Sequence, residues 1–586
     1  MKELKHINHY FIKYKFHFFG GILITIIAQL FSLYTPELIG DSITEIEKYF
    51  KKELNDPKSI QTLLTNNILW ILGTTLFAGF LTFLMRQTLI VMSRHVEFDM
   101  KNEVFKKYTI LTQTFYKNNK TGDLMNRITE DIGRVRMYVG PAVMYTINTI
   151  IRFTVVLFYM IKVSPILTFI VLLPLPILAY FIFKLSTAIN RKSTLFQQNL
   201  SQLTSFAQEY FSGIRIIKAY HIEHSKEDAF SSLTSTGYSK SVDLAKTQAL
   251  FGPLMLLLIG LSNILVISIG SYLYIKGDIT DIGIIAKFIL YINMLIWPVT
   301  SIGWVSSLVQ EAEASQKRIN EFLKIEPEIS NNTSSPTQIQ GRITFENVSL
   351  YYPDTQVKAL NNISFEVQKG QTLAIIGQTG SGKSSILSLI TRLYNPTFGT
   401  IKIDQQDIRT ANLKDLRTAI GVVPQDAFLF SDSIANNIKF GNVSSTQDQI
   451  IESAKNAVVH KNILDFKDQY ETLLGERGLT LSGGQKQRVS IARAIIKNPQ
   501  VLLLDDCLSA VDTETEEEIL NNLKTICKGK TTIIVSHRAS SAKNADQIIV
   551  LDQGKIIQQG THNQLINTTG YYKDLYQKQL SEKEML

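Results

Sequence analysis

GQTGSGKS, from Gly377 to Ser384, decides how the second half of this chain folds. It fits the pattern G-x-x-x-x-G-K-[ST], in which a glycine-rich loop closes backbone N–H groups around phosphate oxygens. Gly377, Gln378, Thr379, Gly380, Ser381 and Gly382 make the loop. Lys383 adds a point charge, Ser384 offers a hydroxyl to Mg²⁺, and Ser385 leads onward into the helix. The apolar run LAII (Leu373 to Ile376) reads as the strand feeding the loop. SSILSLITRL (Ser384 to Leu393) reads as the helix whose N-terminal end holds the anion. Strand, loop and helix in that order predict an α/β phosphate-binding domain.

Further along stand LSGGQ (Leu481, Ser482, Gly483, Gly484 and Gln485) and VLLLDD (Val501 to Asp506). With the phosphate loop, they resemble the ATP-binding cassette (ABC) transporters. The narrower resemblance is to bacterial exporters whose membrane and ATPase domains share one chain. The match spans nearly the whole sequence and keeps the family's motif order. Tyr352, in NVSLYYP, matches the aromatic that stacks on adenine, and Gln425, in VVPQD, the Q-loop. LLGERG (Leu473 to Gly478) resembles the exporter X-loop, SAVD (Ser509 to Asp512) the D-loop, and His537, in IIVSHR, the switch histidine.

The resemblance implies the roles. ATP is held by the loop and Lys383. Ser384, Asp505 and Gln425 supply hard oxygen donors to Mg²⁺. Asp506, His537 and Gln425 face the water that attacks the γ-phosphate. Leu481 to Gln485, with Asp512, meet ATP held by a second chain, so two ATP molecules lie sandwiched between two nucleotide-binding domains. One position departs from the pattern: the residue after Asp505 is usually glutamate and here is Asp506. In the family this change typically marks the degenerate site of heterodimeric exporters. The alternative is a homodimer that hydrolyses ATP with aspartate.

The chain has 586 residues and a formal net charge of +9. The bases are spread through connections expected to face the cytoplasm, without a dense basic tract interleaved with aromatics. Positive-inside topology explains the charge, and nucleic acid is not an expected partner. Cys507 and Cys527 are the only cysteines, which excludes a disulfide framework and fits a reducing cytosol. The N-terminus (MKELKHINHYFIKYK) is basic and precedes a long apolar stretch without a small-residue cleavage site. It reads as a retained first helix rather than a secretory signal.

Six apolar stretches suit membrane crossing, over roughly 16–43, 65–92, 137–162, 164–186, 247–275 and 281–308. The connections after the second and fourth are long, basic and helical in period, and extend those helices into the cytosol. TGDLMNR, within Phe115 to Asp131, and GIRIIKAY (Gly213 to Tyr220) resemble the family's two coupling regions. An outward loop is expected around Asn55. Pro298 removes a backbone bond and should kink the sixth span. Arg152 lies inside the third span, where a bare charge is costly. It either faces a partner or wet cavity, or reaches an interface. Gln29, Asn148 and Asn263 are further polar residues in spans, suited equally to helix–helix bonds and substrate contact.

The expected fold is a six-span α-helical transmembrane domain over 1–325, a polar linker over 326–340, and an α/β P-loop ATPase domain over 341–586. The expected protein is an ABC exporter half-transporter in the cytoplasmic membrane, with its N-terminus and ATPase in the cytosol. It pairs with a second half-transporter, is surrounded by membrane lipid, and moves a small amphipathic cargo: a drug-like compound, lipid or peptide. The alternative is an ATP-gated channel or regulatory subunit on the same scaffold. A third reading, an importer's ATPase, is opposed by the fused membrane domain.

Overall fold

A computed structural model of the chain describes residues 2–51, 57–331, 333–475, 478, 481–509 and 511–584. They form two compact units: Met1–Lys107 with Gly122–Ile325, and Tyr108–Thr121 with Glu326–Leu586. The outward loop expected around Asn55, and Glu476, Arg477 and Ala510 of the X- and D-loops, lie outside the described residues.

The first unit is built of long helices. In hydrocarbon no water is present to take backbone hydrogen bonds, so an apolar run must satisfy them internally, and the helix does so. The helices are α1 (Lys15–Phe50), α2 (Pro57–Ile110), α3 (Val143–Val163), α4 (Pro165–Leu172), α5 (Pro174–Ser212), α6 (Glu223–Ala249), α7 (Phe251–Lys276) and α8 (Gly283–Leu323). Among the described residues, α1, α2, the run Thr121–Val163, the run Glu223–Lys276 and α8 are each long and apolar enough to cross a membrane. The fourth expected span is divided into α4 and α5. Pro174 has no N–H to give the Ile170 carbonyl. That carbonyl accepts instead from the N–H of Leu173, at 3.3 Å, which tightens the turn.

The long connections are helical as their periodicity predicts. α2 runs on to Ile110, α5 to Ser212, and α6 begins at Glu223. GIRIIKAY folds into the short helix Ile214–Tyr220, ended by His221 in a left-handed conformation (φ 54°). α8 passes through Pro298 without interruption.

Polar groups inside this unit are tied together. Arg152 Nε donates to Gln29 Oε1 at 2.8 Å, and Gln29 Nε2 donates to Asn148 Oδ1 at 2.8 Å. Further along α1, Lys287 of α8 donates to Glu37 (2.6 Å) and Asp41 (2.8 Å), and the Tyr291 hydroxyl donates to Glu37 (2.6 Å). α1 and α8 approach closely there because Gly283 carries no side chain. A Cβ at that position would fall inside the van der Waals shell of the Gly40 carbonyl and the Thr44 hydroxyl. Backbone cannot swing away as a side chain can. Gly283→Val is therefore expected to destabilise the membrane unit by about 1–3 kcal/mol. The check is the thermal midpoint of detergent-purified protein, which should fall.

Membrane sidedness gives a second expectation. The turn between α7 and α8 carries Asp278, and Asn118 lies in the basic connection after α2. A cysteine placed at Asp278 should react in intact cells with an impermeant thiol reagent, and one at Asn118 only after the membrane is opened. Labelling in the reverse order would refute the orientation.

The second unit is α/β. Its strands are β1 (Ile343–Tyr351), β2 (Lys358–Val367), β3 (Thr372–Gly377), β4 (Phe398–Ile403), β5 (Gln406–Asp407), β6 (Ile420–Val423), β7 (Val501–Asp505), β8 (Thr531–Ser536), β9 (Gln547–Asp552) and β10 (Lys555–Gly560). A four-stranded antiparallel sheet has the order β2-β1-β4-β5, and a six-stranded sheet the order β10-β9-β3-β8-β7-β6. In the larger sheet only the β10 pairing is antiparallel. Its inner strands read as unbroken apolar runs because both faces are covered: Leu373 to Ile376 and Val501 to Leu504 are fully buried. The described residues among 326–340 form neither helix nor strand.

Candidate functional site

Strand order brings the chemistry together. β3, β8, β7 and β6 are adjacent and parallel, so their C-terminal ends open on one edge, where open α/β sheets bind ligands. The phosphate loop follows β3, His537 follows β8, Asp505 ends β7 with Asp506 next after it, and Gln425 follows β6. Residues dispersed over 160 positions of sequence thus line one cavity of about 270 Å³, with Tyr352 at its side from the end of β1.

The loop is shaped by glycines in the left-handed region. Gly380 has φ 82° and Gly382 φ 100°. A Cβ on Gly382 would also collide with the Ala359 carbonyl. Gly382 caps α9 (Lys383–Ile390), whose first-turn N–H groups face the cavity. The buried Lys383 ammonium donates to the carbonyls of Gly377 (2.8 Å) and Gln378 (2.7 Å), and burial lowers its pKa. The Ser384 hydroxyl donates to Asp505 Oδ1 at 2.9 Å. Burial raises the Asp505 carboxyl's pKa and the neighbouring Asp506 adds to this, while the Ser384 hydrogen bond and the Lys383 charge oppose it.

Asp506 has a left-handed backbone (φ 45°), and its N–H donates to the Val535 carbonyl at 2.9 Å. Aspartate is among the few residues that tolerate this conformation. Its Oδ2 lies 3.9 Å from His537 Nε2. The loop carrying His537 is anchored by the next residue: Arg538 pairs with the buried Glu516 at 2.5 Å. The Tyr352 hydroxyl is 2.9 Å from Ser385 Oγ, and its ring meets Tyr394 edge-on.

Leu481 to Gln485 and Asp512 do not enter this cavity. Ser482 caps α10 (Gly483–Ile496) through a reciprocal capping box with Gln485. Ser482 and Gly483 are exposed, and Asp512 caps α11 (Thr513–Ile526) by accepting from the Thr515 N–H. α10 is nonetheless tied to the cavity, since Gln487 Nε2 donates to the Gln425 carbonyl.

Sequence reading missed several lining residues. Lys358 and Ala359, from the start of β2, face the cavity beside Tyr352. Lys117 places its ammonium 4.7 Å from the centre of the Tyr352 ring. Lys358 adjoins a recognised motif and was open to detection. Lys117 carries no local signal, being remote in sequence.

The model of the ABC transporter family matches residues 360–509, and that of the ABC transporter transmembrane region matches residues 16–299. The multidrug resistance-like ATP-binding protein MdlA of Escherichia coli (strain K12) is 33% identical over 99% of this chain and 97% of its own. The probable multidrug resistance ABC transporter ATP-binding/permease protein YheI of Bacillus subtilis (strain 168) is 33% identical over 98% of this chain and 97% of its own. The ATP-dependent lipid A-core flippase of Pseudomonas syringae pv. tomato is 32% identical over 96% of this chain and 94% of its own. A solved bacterial Atm1-family ABC exporter with ATP bound shares the fold, with TM-score 0.80 at 24% identity, covering 96% of this chain and 98% of that one.

Proposed function

Because the chain belongs to the ABC transporters, with membrane region and ATPase on one polypeptide, we propose that it is one half of a dimeric exporter of an amphipathic compound, paired with a different half-transporter. It sits in the inner membrane with the ATPase in the cytosol, binds ATP, and couples hydrolysis to transport. Relatives named for multidrug resistance and for lipid A-core flipping suggest a cargo that is part apolar. The observation that carries the reading is the single cavity where the phosphate loop, Gln425, Asp505, Asp506 and His537 meet, while Ser482 and Gly483 of LSGGQ stand exposed elsewhere on the same unit. An exposed helix N-terminus with a serine cap suits the γ-phosphate of a second chain's ATP.

ATP would place its adenine against Tyr352 and its phosphates over the N-terminus of α9, with Lys383 turning from the loop carbonyls to the β- and γ-phosphates. Ser384, Asp505 and Gln425 fit Mg²⁺: they offer hard oxygens, and two of them already touch. When bound, the metal offsets negative charge on the phosphates. Asp506 accepts a hydrogen bond or proton from the attacking water, and His537, beside it, orients the water and the γ-phosphate.

Asp506 is one methylene shorter than the usual glutamate, and a misplacement of about 1 Å can cost ~10²-fold in rate. This supports a site that binds ATP and turns it over slowly, with the fast site formed by the partner's phosphate loop and this chain's Ser482 to Gln485. Purification from the native membrane tests the pairing: a second half-transporter with glutamate at the matching position should accompany this chain in equal amount. Recovery of this chain alone as an active dimer would refute it. Asp506→Glu is expected to raise the complex's ATPase rate by restoring the second site. An unchanged or lower rate would show that this site is slow for another reason.

A further inference from the structure

Resting on the reading of His537 as the residue that meets the γ-phosphate, we propose that Gln579 is a positioning residue for that histidine. Its carboxamide clamps the backbone on both sides of Arg538 and so fixes where the imidazole stands. Gln579 belongs to α13 (Tyr571–Glu584), the last helix of the ATPase unit, and lies 42 positions beyond His537 in sequence.

The clamp has two bonds. Gln579 Nε2 donates to the His537 carbonyl at 3.2 Å, and Gln579 Oε1 accepts from the Ala539 N–H at 2.8 Å. Together they need an amide, since a carboxylate cannot donate and an ammonium cannot accept. The first N–H groups of a helix have no partner within it. The short helix α12 (Ala539–Ala542) receives no side-chain cap from Arg538, the residue before it. Gln579 supplies one from outside.

The residue between the two bonds is held as well. The Arg538 N–H donates to Ser536 Oγ at 3.0 Å, and its guanidinium reaches the buried Glu516 and the Ser509 carbonyl (3.1 Å). With the backbone of this loop so fixed, the His537 side chain faces the cavity, where Nε2 lies 3.9 Å from Asp506 Oδ2.

α13 is itself firmly seated. Tyr572 is fully buried, and its hydroxyl lies 2.8 Å from His562 Nδ1. Leu575 and Tyr576 join the apolar cluster that contains Ala539 and Ala542 of α12 and Ala374 and Ile376 of β3, the strand feeding the phosphate loop. Gln579 is therefore presented to the histidine's loop from the core that also carries the phosphate loop. A loop ordered in advance loses less conformational freedom when it meets a ligand. Loss of the clamp should weaken the contact to the γ-phosphate and spare those made by the phosphate loop and Tyr352.

The test reads this chain's own site in the purified complex. Radiolabelled azido-ATP, photolysed on ice with Mg²⁺, tags each half-transporter separately on a gel. Competition with ATP and with ADP then gives the ratio of the two affinities. Gln579→Met keeps the length and apolar stem of the side chain and removes both bonds. It should lower the ratio of ATP to ADP affinity by about threefold to tenfold, with ADP affinity unchanged. His537→Ala should lower the ratio at least as far. The double variant should fall no further than His537→Ala alone, because Gln579 acts through the histidine. Equal loss of ATP and ADP affinity in Gln579→Met, an unchanged ratio, or a double variant whose losses add would overturn the proposal. Failure of the underlying reading looks different: His537→Ala would then leave the ratio unchanged, and the proposal would fall with it.

Discussion

Lys383→Ala is expected to weaken ATP binding at this chain's phosphate loop by at least about 100-fold while the fold persists. Lys383 is the cation of the loop and is buried beneath it. Its two bonds to the Gly377 and Gln378 carbonyls are the ones it would exchange for phosphate oxygens. A charge-assisted hydrogen bond contributes about 1.5–3 kcal/mol, so the loss of two corresponds to roughly two orders of magnitude or more. Equilibrium binding of a fluorescent ATP analogue to the purified protein measures the loss, and circular dichroism checks the fold. Unchanged affinity would remove the phosphate loop from the account.

The second large effect separates the two faces of the ATPase unit. Ser482→Arg puts a long cation where the other chain's γ-phosphate would sit and removes the capping box that begins α10. It should abolish most ATPase activity of the complex. Asp506→Asn should change the rate by less than about twofold if this chain's own site contributes little turnover. In a homodimer the order reverses in meaning: Asp506 is then the carboxylate of both sites, and an amide cannot accept the water's proton. Loss of nearly all activity with Asp506→Asn would overturn the heterodimer. The ratio of the two rates in one steady-state assay decides between them.

Much of this was legible in the sequence, and the reasons are local. GQTGSGKS and LSGGQ state backbone requirements, tight turns and helix N-termini, that few residue types meet, so they mark their own positions. The parallel strands announce themselves as buried apolar runs. Apolar length reveals spans for the same reason that lipid demands helices. Other features depend on packing. Nothing near Asp506 tells that its backbone is left-handed or that its N–H pairs with Val535 across the sheet. The break at Leu173 was available from Pro174, yet the apolar run around it masks the interruption. Arg152 was singled out by its depth in an apolar span. Arg86 draws no notice by itself, lying near the end of a span beside Gln87; only the cavity that both line brings it near Arg152. Lys117 and Tyr352 likewise meet through tertiary folding alone.

Uptake into inside-out membrane vesicles tests the central claim, that ATP hydrolysis by this protein drives export. Vesicles containing the complex should accumulate a fluorescent amphiphile above its equilibrium level when ATP is added. Accumulation should cease with Ser482→Arg in this chain or with vanadate. ATP-dependent movement that only equalises the concentrations on the two sides, as through an open pore, would contradict the account and favour a gated channel.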